Sequence, residues 1–165
     1  MYRADRISAH DKTVFYEQLN SLLNSLIENE NDWLANLANA AGLLFDQMED
    51  INWAGFYLLK DNELVLGPYQ GKPACTRIPM GKGVCGTAAT QARTIVVEDV
   101  HRFPGHIACD AQSKSEIVLP MFINQDMVGV LDIDSPVLNR FDQSDALGLE
   151  GFLDLLQKRL HKLRG

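Results

Sequence analysis

The sequence predicts an α+β fold, one antiparallel sheet with helices packed on one face. Three observations carry this. Both ends of the chain repeat apolar residues at three- and four-residue spacing, as helices do. The middle runs apolar over short stretches, as strands do. Turn residues join neighbouring strand-like runs closely enough for hairpins. The chain has 165 residues, of which 46% are apolar and 22% charged. That length buries one core without covalent staples, so a single domain is expected over residues 13–165, after a polar, flexible segment at 1–12.

Residues 13–27 read as the first helix, with Phe15, Leu19, Leu22, Leu23 and Leu26 on one stripe. Glu28-Asn29-Glu30-Asn31 breaks it. Asp32 can cap a second helix, on which Trp33, Leu34, Leu37, Ala38, Ala41, Leu44, Phe45 and Met48 recur. Such a stripe is a core face or a homodimer face. The period then shortens. Residues 52–59 are aromatic and apolar, Asp61-Asn62 is a tight-turn pair, and residues 63–69 return, giving a hairpin. Gly71, Pro73, Pro79, Gly81 and Gly83 punctuate the next stretch. Residues 84–91 read as a short helix and 94–97 as a short strand. Residues 98–115 form a long loop with at most a helical turn near Ile107, and loops of that length in compact domains tend to be functional. A second hairpin, 116–123 and 127–133, turns at Asn124-Gln125-Asp126. Phe141-Asp142-Gln143-Ser144 opens a last helix carrying Leu149, Phe152, Leu153, Leu156, Leu160 and Leu163 on one side.

Composition narrows the function. No run of about twenty apolar residues exists, so no membrane partner is expected. The polar N-terminus has no signal-like apolar segment. Three cysteines are too few and too unevenly spaced for a disulfide scaffold, which points to a reducing, cytoplasmic setting. A formal net charge of −7 is a poor match to nucleic acid, which needs a basic face. Small cationic or zwitterionic ligands suit it better.

Three constellations carry chemistry. In the long loop, His106-Ile107-Ala108-Cys109-Asp110 sets a thiol among an imidazole and carboxylates. Cys75 and Cys85 stand in glycine- and lysine-bearing stretches. Cysteine reacts as thiolate, which a nearby ammonium or a His106 imidazolium would favour. A place in the first turn of a helix would favour charge on Cys85 too. The alternative is three thiols that merely pack, since free cysteine is among the most buried residue types. There is no Cys-x-x-Cys, and His106-x-x-Cys109 is a weak zinc signal, so no metal is expected. The second constellation is acidic. Period two puts Asp132 and Asp134 on one face of their strand, and the hairpin brings Glu116 beside them. Three converging carboxylates repel, so at least one should hold a proton near neutrality and act as a general acid. The third is aromatic: Trp53 and Tyr57 share a strand face, as core or as a wall against a small apolar or cationic group.

These segments, Asn52-Trp53-Ala54-Gly55-Phe56-Tyr57, Gly81-Lys82-Gly83-Val84-Cys85-Gly86, Gly105-His106-Ile107-Ala108-Cys109-Asp110, Ser115-Glu116-Ile117-Val118-Leu119-Pro120 and Gly129-Val130-Leu131-Asp132-Ile133-Asp134-Ser135, resemble the free methionine-(R)-sulfoxide reductases, small enzymes on a GAF domain. The match runs over about residues 30–160, in order. The resemblance implies reduction of free methionine sulfoxide with Cys109 as nucleophile, Cys75 as its principal resolving partner and Cys85 as a second thiol that takes over or relays the disulfide. It implies that Glu116, Asp132 and Asp134 contact substrate and assist protonation of its oxygen, that Trp53 and Tyr57 wall the pocket, that thioredoxin is the reductant and that no cofactor is needed. The rival reading is a GAF-type small-molecule or redox sensor without turnover, since one fold hosts many functions.

Overall fold

A computed structural model describes residues 1–164. Residues 1–11 form no helix or strand, yet they are anchored. Ile7 packs against the core, its N–H donates to Gln47 Oε1 at 2.9 Å, and the Tyr2 hydroxyl donates to Asp46. Helix α1, Lys12–Ile27, starts on Asp11, whose carboxylate accepts from Val14 N. Helix α2, Trp33–Gln47, starts on Asp32, which accepts from Ala35 N at 2.8 Å. Each cap satisfies an amide that the first helical turn leaves unpaired. Helix α4, Gln143–Arg164, opens with reciprocal bonds: Asp145 N donates to Asp142 Oδ1, and Asp142 N donates to Asp145 Oδ2. This is the capping-box arrangement with aspartate at both places.

Between the helices lie six strands: β1 (Trp53–Lys60), β2 (Glu63–Gly71), β3 (Arg77–Pro79), β4 (Ile95–Val97), β5 (Ser115–Ile123) and β6 (Asp126–Ser135). All pair antiparallel in the order β3-β2-β1-β6-β5-β4. Both expected hairpin turns are present. Asp61 and Asn62, and again Asn124 and Gln125, hold positive φ, as two-residue turns matched to strand twist require. The anticipated helical turn near Ile107 is instead a 3-10 turn at Val100–Arg102. The reason is local: the Asp99 side chain accepts from His101 N and caps the turn at that point.

The sheet separates two cores. On one face α1, α2 and α4 pack against Ala54, Phe56, Ile117, Leu119, Leu131 and Ile133. Of the apolar stripes of α1 and α2, Leu19, Leu23, Leu37 and Leu44 are buried in this core, while Leu34 and Phe45 are exposed. The other face carries the short helix α3, Gly83–Gln91, over Trp53, Tyr57, Val118 and Val130. The three long helices share one face as expected, and α3 covers the second. Its small residues (Gly86, Ala88, Ala89) let it lie close to the strands, but they give it no apolar stripe to read. This second face holds the site.

Candidate active site

Strand pairing assembles the acidic cluster. Asp134 lies opposite Glu116 on one side and Trp53 on the other. Asp132 lies opposite Val118 and Gly55. Residues two apart point the same way, so Glu116, Asp132, Asp134, Trp53 and Tyr57 all face α3. Gly55 is required in this row. A Cβ there would fall on the Cα and Cβ of Tyr69, and the Tyr69 ring stacks on Trp53 with centroids 5.1 Å apart. Trp53 also stacks on Tyr57 at 5.8 Å.

Two loops close over this row. One carries Cys75 and the other Cys109, and the two cysteines form a disulfide with Cα atoms 5.6 Å apart. That separation is ordinary for a bridge. Under it lies a cavity of about 40 Å³ lined by Trp53, Tyr57, Cys85, His106, Cys109, Glu116, Asp132 and Asp134, among others. That is space for one or a few waters, not for an amino acid. Gly83, at φ +62°, turns the chain into α3 directly beneath Ile107, so the Cys109 loop seats on the helix start.

Side chains at the head of β1 tie down both loops. The Tyr57 hydroxyl donates to the Cys75 carbonyl at 2.9 Å. Trp53 Nε1 donates to the Lys72 carbonyl at 3.2 Å. Asn52 Nδ2 donates to Asp110 Oδ2 and to Ser113 Oγ, each at 3.1 Å. Asn52 and Ser113 escape sequence reasoning, since their contact spans 61 positions and neither residue type announces a partner.

Electrostatics differentiate the acids. Burial, then the charges of Asp132 and Asp134, pushes Glu116 well above the carboxylate range. Burial, then Asp132 and Asp110, does the same for Asp134. Burial pushes Asp132 up to about 6, and the polar groups of the neighbouring Glu116 and Cys85 side chains limit the rise by favouring its charged form. Asp132 is thus the first of the three to ionise, leaving protons on the other two.

Two expectations about thiolate formation are corrected. Cys85 does sit in the first turn of α3, but it is buried, and desolvation followed by the Asp132 and Glu116 charges raises its thiol. These effects outweigh the helix N-terminus. His106 does not supply an imidazolium: burial lowers it, and the His101 charge adds to that. With Glu116 protonated and His106 neutral, their 3.8 Å approach is a polar contact rather than an ion pair.

Of the eight site residues that the resemblance implies, seven line the cavity, as do His106 and Asp110, and Cys75 is bonded to one of those seven. The site is a disulfide set over a proton-bearing carboxyl cluster on a curved antiparallel sheet, which defines a redox-active thiol protein. The GAF domain family matches residues 35–157. The chain is 55% identical over 150 residues to the free methionine-R-sulfoxide reductase of Escherichia coli K12, covering 91% of each protein. It is 44% identical over 156 residues to that of Saccharomyces cerevisiae, covering 90% of this chain and 87% of the yeast protein. The Neisseria meningitidis free methionine-R-sulfoxide reductase, solved in complex with its substrate, superposes with a TM-score of 0.93 at 46% identity over 98% of this chain and 97% of that one. The chain belongs to the free methionine-R-sulfoxide reductase family, GAF-domain oxidoreductases. No helix among the described residues is long and apolar enough to cross a membrane.

Proposed function

We propose that this protein reduces the R-sulfoxide of free methionine, in the cytoplasm, with thioredoxin as reductant. One observation carries the reading: the Cys75–Cys109 bridge stands at the wall of the cavity into which Glu116, Asp132 and Asp134 project. A sulfoxide sulfur becomes electrophilic when its oxygen is protonated, so the reaction needs a thiolate and an acid on opposite sides of one small space.

In the reduced protein the two loops part and the substrate enters. Ionised Asp132 takes its ammonium. The start of α3 has no side-chain cap, and its free amides take the carboxylate. Trp53 and Tyr57 wall the side chain. Glu116, supported by Asp134, protonates the sulfoxide oxygen while the Cys109 thiolate attacks sulfur. The oxygen passes to Cys109 as a sulfenic acid and methionine leaves, so sulfur of the substrate gains the two electrons that Cys109 loses. The Cys75 thiol attacks the sulfenic sulfur, water departs, and the bridge seen here forms. Cys85, buried beside Glu116 with Sγ 3.9 Å from Oε1, is the second thiol able to relay that bridge. A thioredoxin dithiol restores both thiols by exchange. Peptide-bound methionine lacks the two terminal charges and would leave Asp132 and the α3 amides unpaired in a closed site, a strong basis for rejection.

The test is thiol counting after methionine R-sulfoxide is added to fully reduced protein. Two thiols should disappear per methionine formed. Cys109→Ser should form none, and Cys75→Ser should release about one methionine per chain without reductant. A non-turnover sensor would keep its thiols. Failure of Cys75→Ser to release that first methionine would refute Cys109 as nucleophile.

A further inference from the structure

The pocket gathers more ligand-forming acidic groups than one ammonium needs. Glu116, Asp132, Asp134 and the Cys85 thiol converge there, and among the described residues no lysine or arginine pairs with any of the three carboxyl groups. His106 lies 3.8 Å from Glu116 Oε2, and Lys82 lines the same cavity without pairing with them. One ligand atom each from Cys85, Glu116 and Asp132 lies within 4.8 Å of the others, all three residues being buried. Independently of that cluster, Asp132 Oδ1 is buried without any hydrogen-bond partner, although the residue is only 6% exposed and lines the cavity. A buried carboxylate oxygen in that condition is costly unless something binds it.

We propose that this pocket is also a binding site for a divalent ion of the zinc class, held by Cys85 Sγ and by one carboxylate oxygen each of Glu116 and Asp132. Zinc–sulfur bonds of about 2.3 Å and zinc–oxygen bonds of about 2.1 Å at a tetrahedral angle separate sulfur from oxygen by about 3.6 Å. Cys85 Sγ and Glu116 Oε1 stand 3.9 Å apart, so a few tenths of an ångström of side-chain movement closes that edge. The thiolate selects zinc, cobalt or cadmium over magnesium and calcium, which prefer all-oxygen shells. A fourth position stays open for water. On binding, the protons of the Cys85 thiol and of the Glu116 carboxyl group both go to solvent. Cys85 is the free thiol when Cys75 and Cys109 are bridged, so the site exists in the oxidised protein, independent of the reductase reading.

The experiment is a cobalt(II) titration of the oxidised chain, with the Cys75–Cys109 bridge intact. The expected result is one cobalt per chain, with a thiolate-to-cobalt charge-transfer band that one equivalent of zinc removes and excess magnesium does not. Cys85→Ser should abolish the band. Asp132→Asn should keep the band and weaken cobalt binding at least about tenfold, the loss that removing even an outer-shell partner typically brings. An oxidised wild-type chain that shows no band, a band that survives Cys85→Ser, or unchanged affinity in Asp132→Asn overturns the site. Turnover of methionine sulfoxide in metal-free buffer is measured separately, so either proposal can fail alone.

Discussion

Replacing Asp132 by asparagine should make the protein more stable while impairing it. A carboxyl group moved on folding from 3.8 to about 6 binds its proton more tightly in the folded state. The sign follows. Below pH 3.8 both states are protonated and the group costs nothing. As pH rises from 3.8 to 6 the unfolded chain ionises first and the folded state loses ground, and above 6 the full penalty stands. That penalty is about 3 kcal/mol at pH 7 and about half as much at pH 5. Asparagine is neutral throughout and nearly isosteric. Allowing for imperfect hydrogen bonding of its amide, Asp132→Asn should gain about 1–3 kcal/mol at pH 7, or roughly 3–10 °C in Tm for a domain of this size. Urea denaturation of reduced wild-type and variant protein at pH 5, 6, 7 and 8 checks this. The gap should widen from pH 5 to 7 and then level off. A variant no more stable than wild type at pH 7, or a gap independent of pH, would refute the claim that a folded, desolvated carboxylate resides at this position.

Glu116→Gln should slow methionine release in a single turnover by about 10²- to 10⁴-fold, the range for loss of a general acid, with the fold intact by circular dichroism. An unchanged rate removes the role. Asn52→Ala deletes the bonds to Asp110 and Ser113. It should cost about 1–3 kcal/mol in urea denaturation, since an amide bonded to a carboxylate is lost, and should slow closure of the Cys75–Cys109 bridge in stopped-flow thiol assays. Gly148→Ala drives a methyl group into the Tyr16 ring, where α4 crosses α1. Overpacking of this kind costs about 1–3 kcal/mol, read as a lower denaturation midpoint with methionine sulfoxide turnover per folded chain unchanged.

The long helices were legible because α1, α2 and α4 each bury one face and expose the other, and because Asp32 and the Phe141-Asp142-Gln143-Ser144 stretch mark the starts of α2 and α4. Both hairpins were legible from turn pairs that tolerate positive φ. Strand β3 was not, since Arg77-Ile78-Pro79 is too short to show a period and ends in proline. The placement of α3 was not, because its small residues carry no stripe. At the site, alternation along β6 and the hairpin turn sufficed to bring Glu116 beside Asp134. What the residue pattern could not convey was burial. His106 reads as a proton-bearing partner for a thiol until its desolvation is visible, and Cys85 reads as activated until three carboxyl groups are found around it. The clamp from Asn52 to Asp110 and Ser113 depends on where a loop lands, which local pattern does not encode.

The ties from Asn52, Trp53 and Tyr57 have a mechanical consequence. A sulfur–sulfur link must break and reform in every cycle, so something has to swing. Both swinging pieces are hinged on a single rigid strand, one on each side of the gap. Motion is thereby confined to the few residues between each hinge and its cysteine, and the core between the sheet and the three long helices experiences none of it. Lengthening the span between Gly105 and Cys109 should therefore spoil the rendezvous of the sulfurs while sparing the fold, whereas the same insertion in the Asn124-Gln125 turn should leave both intact.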